Sequence, residues 1–265
     1  MRAIELFNQG ELDDAIDAAV AEVKAKPSDV DVRATLADLL CFARDFERAD
    51  RQLDSIGKLS PGSAHVVSLF RQLVRAETWR EDFFLRGRTP EFLSQPDDAV
   101  TLQMRASIAL REGENGEASE LLAAAEEARR PAPCAADDRT FEDIRDCDDL
   151  IAGVLELLTS TGKYFWVPFH AVKEIELRPV ERPLDRLWRR ARVEVEDGPD
   201  GEVYLPSIYA PLPADAPDPV RLGRVTEFTE SDPIRGIGRR MFLLGEEGVS
   251  LDDLPTLRFE GASDA

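Results

Sequence analysis

The sequence predicts an α+β protein: tetratricopeptide-like helical hairpins through about residue 130, then a mixed α/β domain with antiparallel strands. Three observations carry this. A pattern of apolar, small and proline residues recurs at a fixed offset in the first part. A proline-punctuated stretch occupies residues 131–140. Beyond it the apolar period shortens from that of helices to the alternation of strands.

The repeat is explicit. Leu12, Ala15 and Pro27 align with Phe46, Ala49 and Pro61, each pair offset by 34 residues, the period of tetratricopeptide units. Small Ala15 and Ala49 let two antiparallel helices approach, and Ala37 does the same on the first helix of the second unit. Pro27 and Pro61 end a helix because proline lacks the amide donor and clashes with the preceding turn. Gly10 sits in the turn of the first unit, and Arg44 replaces it in the second. A third unit is expected as two helices, one with Val66, Leu69, Phe70, Leu73 and Val74 and one with Trp79, Phe83 and Phe84, before a break at residues 87–90. A fourth pairs Leu102, Ala106 and Ala109 with Ala118, Leu121, Leu122 and Ala125 across the turn between Gly113 and Gly116. Pro131 and Pro133 stop it. Residues 1–130 therefore read as four hairpins stacked into a short solenoid, residues 131–140 as a linker, and residues 141–265 as the second domain.

In that domain residues 164–167 form an aromatic strand candidate closed by Pro168. Residues 192–196 alternate polar and apolar, residues 197–201 turn, and residues 203–205 return, giving a hairpin with a five-residue connection. Residues 211–219 hold four prolines and read as a surface loop. Met241 to Leu244 and Leu257 to Phe259 supply later strands, and residues 261–265 are expected to fray.

Composition narrows the function. The chain has 265 residues with 33 Lys+Arg against 53 Asp+Glu, a formal net charge of −20. Such a field repels nucleic-acid phosphates and anionic membranes, and attracts basic partner segments. Cys41, Cys134 and Cys147 form no Cys-x-x-Cys pair, which argues against a disulfide framework or a zinc site and fits a reducing cytoplasm. No stretch reaches the roughly 20 apolar residues that span a bilayer; the best, residues 151–158, is interrupted by Glu156. The N-terminus enters an amphipathic pattern with no signal-peptide core.

Candidate chemistry is thin. His65 and His170 have no sequence neighbours that suggest a triad. The stretch Thr159-Ser160-Thr161-Gly162-Lys163-Tyr164 has Leu157 where a phosphate loop needs its first glycine and Tyr164 where it needs a hydroxyl, so no nucleotide is expected. Gly236-Ile237-Gly238 has Met241 at the third glycine position of a dinucleotide fingerprint. The acidic run of Glu142, Asp143, Asp146, Asp148 and Asp149 lacks the glycine turn and distal Glu of a calcium loop. Its carboxylates are expected to hold Arg145, Arg189 or Arg192, or to attract a partner. Trp166 and Trp188 are assigned to the core of the second domain. No catalytic residue, cofactor or metal is expected.

The second domain carries a recognisable series of motifs: Phe141-x-Asp143-x-Arg145-Asp146-x-Asp148-Asp149, Leu155-Glu156-x-Leu158-Thr159-Ser160, Tyr164-x-Trp166-Val167-Pro168, Arg182-Pro183-x-Asp185-x-Leu187-Trp188-Arg189-x-Ala191 and Gly201-x-Val203-Tyr204-Leu205-Pro206-x-Ile208-Tyr209. This resembles the ImpE family, also called TagJ or SciE-type, of type VI secretion accessory proteins. One segment departs: the family's Gly-Arg-Glu-Thr-Asp-Trp is here Gly223-Arg224-Val225-Thr226-Glu227-Phe228. The resemblance implies a non-enzymatic adaptor that binds the small subunit of the contractile sheath through a helix near that subunit's N-terminus. It also implies a role in sheath assembly or in its recycling by the associated AAA+ unfoldase. The alternative is a hydrolase or metal-dependent enzyme in the C-terminal domain. For the adaptor, the expected docking face is the first helix of the second unit, with Asp31, Ala34, Asp38 and Cys41 small or acidic enough to receive a basic amphipathic segment.

Overall fold

A computed structural model describes residues 2–259. Its first half holds seven helices: α1 (Arg2–Gln9), α2 (Leu12–Ala25), α3 (Val30–Phe42), α4 (Phe46–Leu59), α5 (Ala64–Arg86), α6 (Asp98–Glu112) and α7 (Asn115–Ala128). The first two hairpins follow the repeat. α2 buries Leu12, Ala15, Ile16 and Ala19, and α4 buries Phe46, Ala49, Leu53 and Ile56, one stripe each. Ala15 and Ala49 have no exposed surface, as close helix approach requires. The side chain of Asp29 accepts from the Asp31 and Val32 amides to cap α3, and Asp45 caps α4 through the Arg48 amide. Gly10 (φ 93°) and Arg44 (φ 60°) make the equivalent turns.

The third unit is different from the expected pair. α5 runs unbroken for 23 residues. No glycine or proline separates Val74 from Trp79, and the buried stripe of Phe70, Leu73, Val74, Glu77, Arg80, Phe83 and Phe84 keeps helical period throughout. Gly87, in the left-handed conformation, ends it. The first half is thus three hairpins and one long helix, with an irregular strap over residues 87–97 before α6.

The second half contains β1 (Cys134–Ala136), β2 (Arg139–Phe141), β3 (Ile144–Asp146), β4 (Val154–Leu158), β5 (Tyr164–Pro168), β6 (Val172–Leu177), β7 (Trp188–Val195), β8 (Asp200–Pro206), α8 (Asp218–Arg221), β9 (Thr226–Phe228), β10 (Gly236–Gly238), β11 (Met241–Leu244), β12 (Glu247–Ser250) and β13 (Leu257–Phe259). An eight-stranded antiparallel sheet has the order β2-β1-β13-β6-β7-β8-β4-β5. The stretch read as a linker thus supplies β1 and the start of β2. Its Cys134 and Ala136 alternate inward and are buried, a two-residue period hidden beneath the prolines. The β7–β8 hairpin forms as expected, with a shorter connection over residues 196–199 closed by the Val195 amide on the Pro199 carbonyl at 3.0 Å. The β5 edge is partly covered: the Glu91 amide donates to Tyr164 O (2.9 Å), Glu91 O accepts from the Trp166 amide (3.1 Å), and Pro168 ends the strand.

The two faces of the sheet bury different partners. Leu155, Leu157, Val167, Ile175, Val193 and Leu205 pack against the small sheet β12-β11-β3. The other face, with Tyr164, Trp166, Trp188 and Tyr204, packs into the same core as the helices. The Phe83 ring of α5 meets Trp166 edge-on, with centroids 4.8 Å apart at 74°. Both tryptophans are buried, but in a core shared by the two halves. The halves also meet at α2, whose N-terminal Leu12 amide is capped by Asp218 Oδ2 at 2.7 Å, since Glu11 makes no side-chain cap. The tail at residues 261–265, expected to fray, lies outside the described residues.

Candidate functional site

The junction between α5 and the sheet is the most unusual chemistry in the molecule. Glu77 and Arg80 occupy the buried stripe of α5, and Glu156 interrupts the all-buried strand β4. Arg80 Nε and Nη2 donate to the two Glu156 oxygens at 2.8 and 3.0 Å, while its Nη1 donates to Glu77 Oε1 at 3.0 Å. Arg44 Nη1 reaches Glu77 Oε1 at 2.5 Å, and Trp188 Nε1 donates to Glu77 Oε2 at 3.2 Å. Beyond Glu156, Arg240 Nη1 lies 3.1 Å from Oε2, and Arg240 Nε donates to Asp146 Oδ2 at 2.6 Å. Tyr164 donates to Glu156, and Trp166 donates to Tyr164. Tyr209 Oη donates to Asp146 Oδ1 at 2.9 Å. Three arginines thus face three carboxylates.

Burial sets the electrostatics. Burial alone would raise the Glu156 carboxyl, but Arg80 and Arg240 outweigh it and hold it below its usual value. Asp146 goes the other way: burial, with Asp148 assisting and Arg240 opposing, pushes it up to about 6. Burial also pushes the Tyr209 hydroxyl well above its ordinary range. Arg80, Glu156, Asp146 and Arg240 have no exposed side-chain surface, so no solute touches them. Such a cluster fixes the relative position of its elements, and removing one member strands the rest.

The acidic run is absorbed by arginines. Asp143 takes Arg129 (2.6 and 3.0 Å), Asp148 takes Arg235 (2.8 and 2.9 Å), and Asp149 takes Arg145 at 2.9 Å. Of the three arginines expected from sequence, only Arg145 serves. Arg192 bonds Glu174 and Asp200 instead, and Arg189 Nε and Nη1 are buried without a hydrogen-bond partner among the described residues. His65 is exposed. His170 sits with Nε2 3.8 Å from Asp97 Oδ2, its pKa lowered by burial. The glycine-lysine stretch is the β4–β5 turn, closed by the Thr159 amide on Lys163 O at 3.0 Å.

The four residues of the expected docking face all lie on α3. Asp31 is exposed, Ala34 and Asp38 are partly covered, and Cys41 is 1% exposed. The segment Pro183–Arg186 packs against this helix, and Asp38 feels both Arg182 and Asp185. Nearby, Asp13, Arg44, Glu81, Leu85, Arg221 and the proline loop line an open polar cleft of about 520 Å³. Sequence reasoning missed Glu77, Arg80 and Arg240. The available signal was an ionisable pair where the helical period of α5 demands apolar residues.

The departing segment has an informative layout. The residues shared with the family motif make internal contacts. Gly223 (φ 61°) receives Arg239 Nε on its carbonyl at 2.8 Å. Arg224 Nη2 donates to Phe7 O and Asn8 O (2.7 and 3.2 Å) at the C-terminal end of α1. Thr226 Oγ1 donates to Arg239 O at 2.9 Å. The changed residues, Val225, Glu227 and Phe228, are exposed.

The family described as ImpE protein matches residues 138–258. The chain is 29% identical over 260 residues to the type VI secretion system accessory component TagJ of Pseudomonas aeruginosa, covering 98% of this chain and 92% of that one. The crystal structure of protein VPA1032 from Vibrio parahaemolyticus superposes with a TM-score of 0.92 at 28% identity over 99% of both chains. The ImpE family model thus matches the second half of the chain, and the similarity to the two whole proteins extends over nearly all of it.

Proposed function

We propose that the protein is a non-enzymatic accessory component of a type VI secretion system. In this reading it works in the cytoplasm as an adaptor for the small subunit of the contractile sheath, engaging a helix near that subunit's N-terminus. It thereby modulates sheath assembly or recycling by the AAA+ unfoldase. The observation that carries the reading is the end-to-end similarity to TagJ. Two features of the chain support it. The charge of −20 favours encounter with a basic segment. The densest constellation of ionisable groups is sealed inside the junction, where it serves rigidity. In the proposal no nucleic acid, membrane, cofactor or metal is involved, and α3 contributes through exposed Asp31 and partly covered Ala34 and Asp38, whereas Cys41 is buried in the core and cannot meet a partner.

The test uses the whole chain, because residues 1–130 and 141–265 share a core and are not expected to fold apart. The full-length protein is titrated calorimetrically with the N-terminal peptide of the sheath small subunit. Saturable one-to-one binding that weakens with salt is expected. Absence of heat and of competition at about 1 mM peptide, where even a ΔG of roughly −4 kcal/mol registers, overturns it.

A further inference from the structure

The β9–β10 ribbon is held rigidly on one side and open on the other. Gly236 lies under Tyr209, where an added Cβ would be 2.2 Å from the ring, and Gly238 (φ 82°) lies against the Val225 carbonyl. On its inner side, β10 is tied by the Tyr209 amide to Gly238 O (2.8 Å) and by the Gly236 amide to Asp148 Oδ2 (3.0 Å). Arg235 and Arg239 clamp the ends onto Asp148 and onto the Gly223 and Arg224 carbonyls.

The register shows which backbone groups face out. The Arg239 amide donates to Val225 O (2.8 Å) and the Thr229 amide to Arg235 O (3.0 Å), and Glu227 pairs with Ile237 between them. Val225, Glu227 and Thr229 therefore turn their backbone groups to β10, and Thr226 and Phe228 turn theirs away. Among the described residues nothing in the chain bonds the outward amides and carbonyls of Thr226 and Phe228. Two large apolar side chains are exposed on this strand and its approach, Val225 at 39% and Phe228 at 42%. The charges beside them are Glu227, Glu230 and Asp232, none ion-paired among the described residues. Arg224, the neighbouring cation, is committed to the end of α1.

We propose that the free edge of β9 is a strand-docking site for an extended segment of a partner protein that alternates basic and apolar residues. The segment adds as a third strand, its backbone bonding Thr226 and Phe228, its apolar side chain packing on Phe228, and its basic groups meeting Glu227 and Glu230. Natural proteins blunt open edges with lysine, proline or a covering loop; this edge carries carboxylates, which repel another copy of itself while admitting a basic strand. The rigid mounting lowers the ordering cost of docking. This surface is distinct from α3 and takes a strand rather than a helix, so it stands apart from the sheath-helix reading.

The experiment uses full-length protein and a capped hexapeptide alternating Lys and Val, with a Glu/Val peptide as control. Hydrogen exchange at single-residue resolution is followed during titration. The expected result is peptide-dependent protection of the Thr226 and Phe228 amides by the Lys/Val peptide alone. The double variant Glu227→Lys/Glu230→Lys, which touches no ladder bond, is expected to weaken binding about tenfold or more. Phe228→Pro removes an outward donor without removing a β9–β10 bond and is expected to abolish protection at Thr226. Protection elsewhere, no protection, or equal affinity in the charge-reversed variant overturns the proposal. If Phe228→Pro does not fold, the charge-reversed variant decides by itself.

Discussion

Arg80 of α5 grips Glu156 of β4 with two parallel hydrogen bonds of 2.8 and 3.0 Å, and neither side chain is exposed. The two residues come from opposite sides of the boundary that the sequence suggests. A planar guanidinium matched to a carboxylate fixes orientation as well as distance, so this pair couples the helical array to the sheet as one unit.

Removing Arg80 leaves Glu156 buried with only Arg240 and Tyr164 beside it, and takes one of the two arginines from Glu77. Arg80→Ala is expected to cost about 3–5 kcal/mol, and the double variant Arg80→Met/Glu156→Leu to recover much of that loss. Urea denaturation of the three proteins checks the pattern. Equal loss in the single and double variants would contradict it.

Because the core is shared, both halves should unfold together. Far-ultraviolet circular dichroism, dominated by the helices, and fluorescence, with Trp166 and Trp188 at the junction, should give coincident transitions. Trp166→Ala is expected to lower stability by about 3–5 kcal/mol, as truncation of a buried Trp does. Two separated transitions in the wild-type protein would show the halves to be independent.

Burial raises the Asp38 carboxyl from 3.8 to about 7, with Arg182 opposing and Asp185 assisting. The folded state therefore holds this proton more tightly than the unfolded chain. The stability it supplies is complete below about pH 4 and is lost as pH rises through about 7. Asp38→Asn should accordingly be more stable than wild type at about pH 8, by on the order of 1–2 kcal/mol after allowing for partial exposure. The advantage should vanish near pH 4. Thermal melts across that interval measure it, and a constant difference would refute the assignment.

Arg44 has a left-handed backbone, φ 60°, in the turn where the first unit uses Gly10, and its side chain binds buried Glu77. Both Arg44→Gly and Arg44→Ala lose the ion pair, but glycine relieves the backbone and alanine does not. Both should lower the melting temperature, with alanine worse by about 1 kcal/mol. Equal melting temperatures for the two variants would indicate that the turn is unstrained.

The sequence by itself determined the local elements. The 34-residue offset located the first two hairpins because close helix packing needs Ala15 and Ala49 at fixed phase. Alternation located the β7–β8 hairpin, and aromatic and apolar runs located β5, β11 and β13, because strand faces are written at a period of two. The motif series also carried the resemblance to the ImpE family, whose model matches residues 138–258. Tertiary structure alone decided how these elements combine. Whether α5 breaks near Val74 depends on packing along its whole length, and residues 134–136 become strand by pairing with β2 on one side and the distant β13 on the other. Glu77, Arg80, Glu156 and Arg240 are scattered over more than 160 residues of sequence, and nothing local distinguishes a buried carboxylate from a solvated one. Their charges balance only when α5 lies against β4. The open edge at Thr226 and Phe228 is likewise a property of register, since which amides face outward is set by the pairing of β9 with β10.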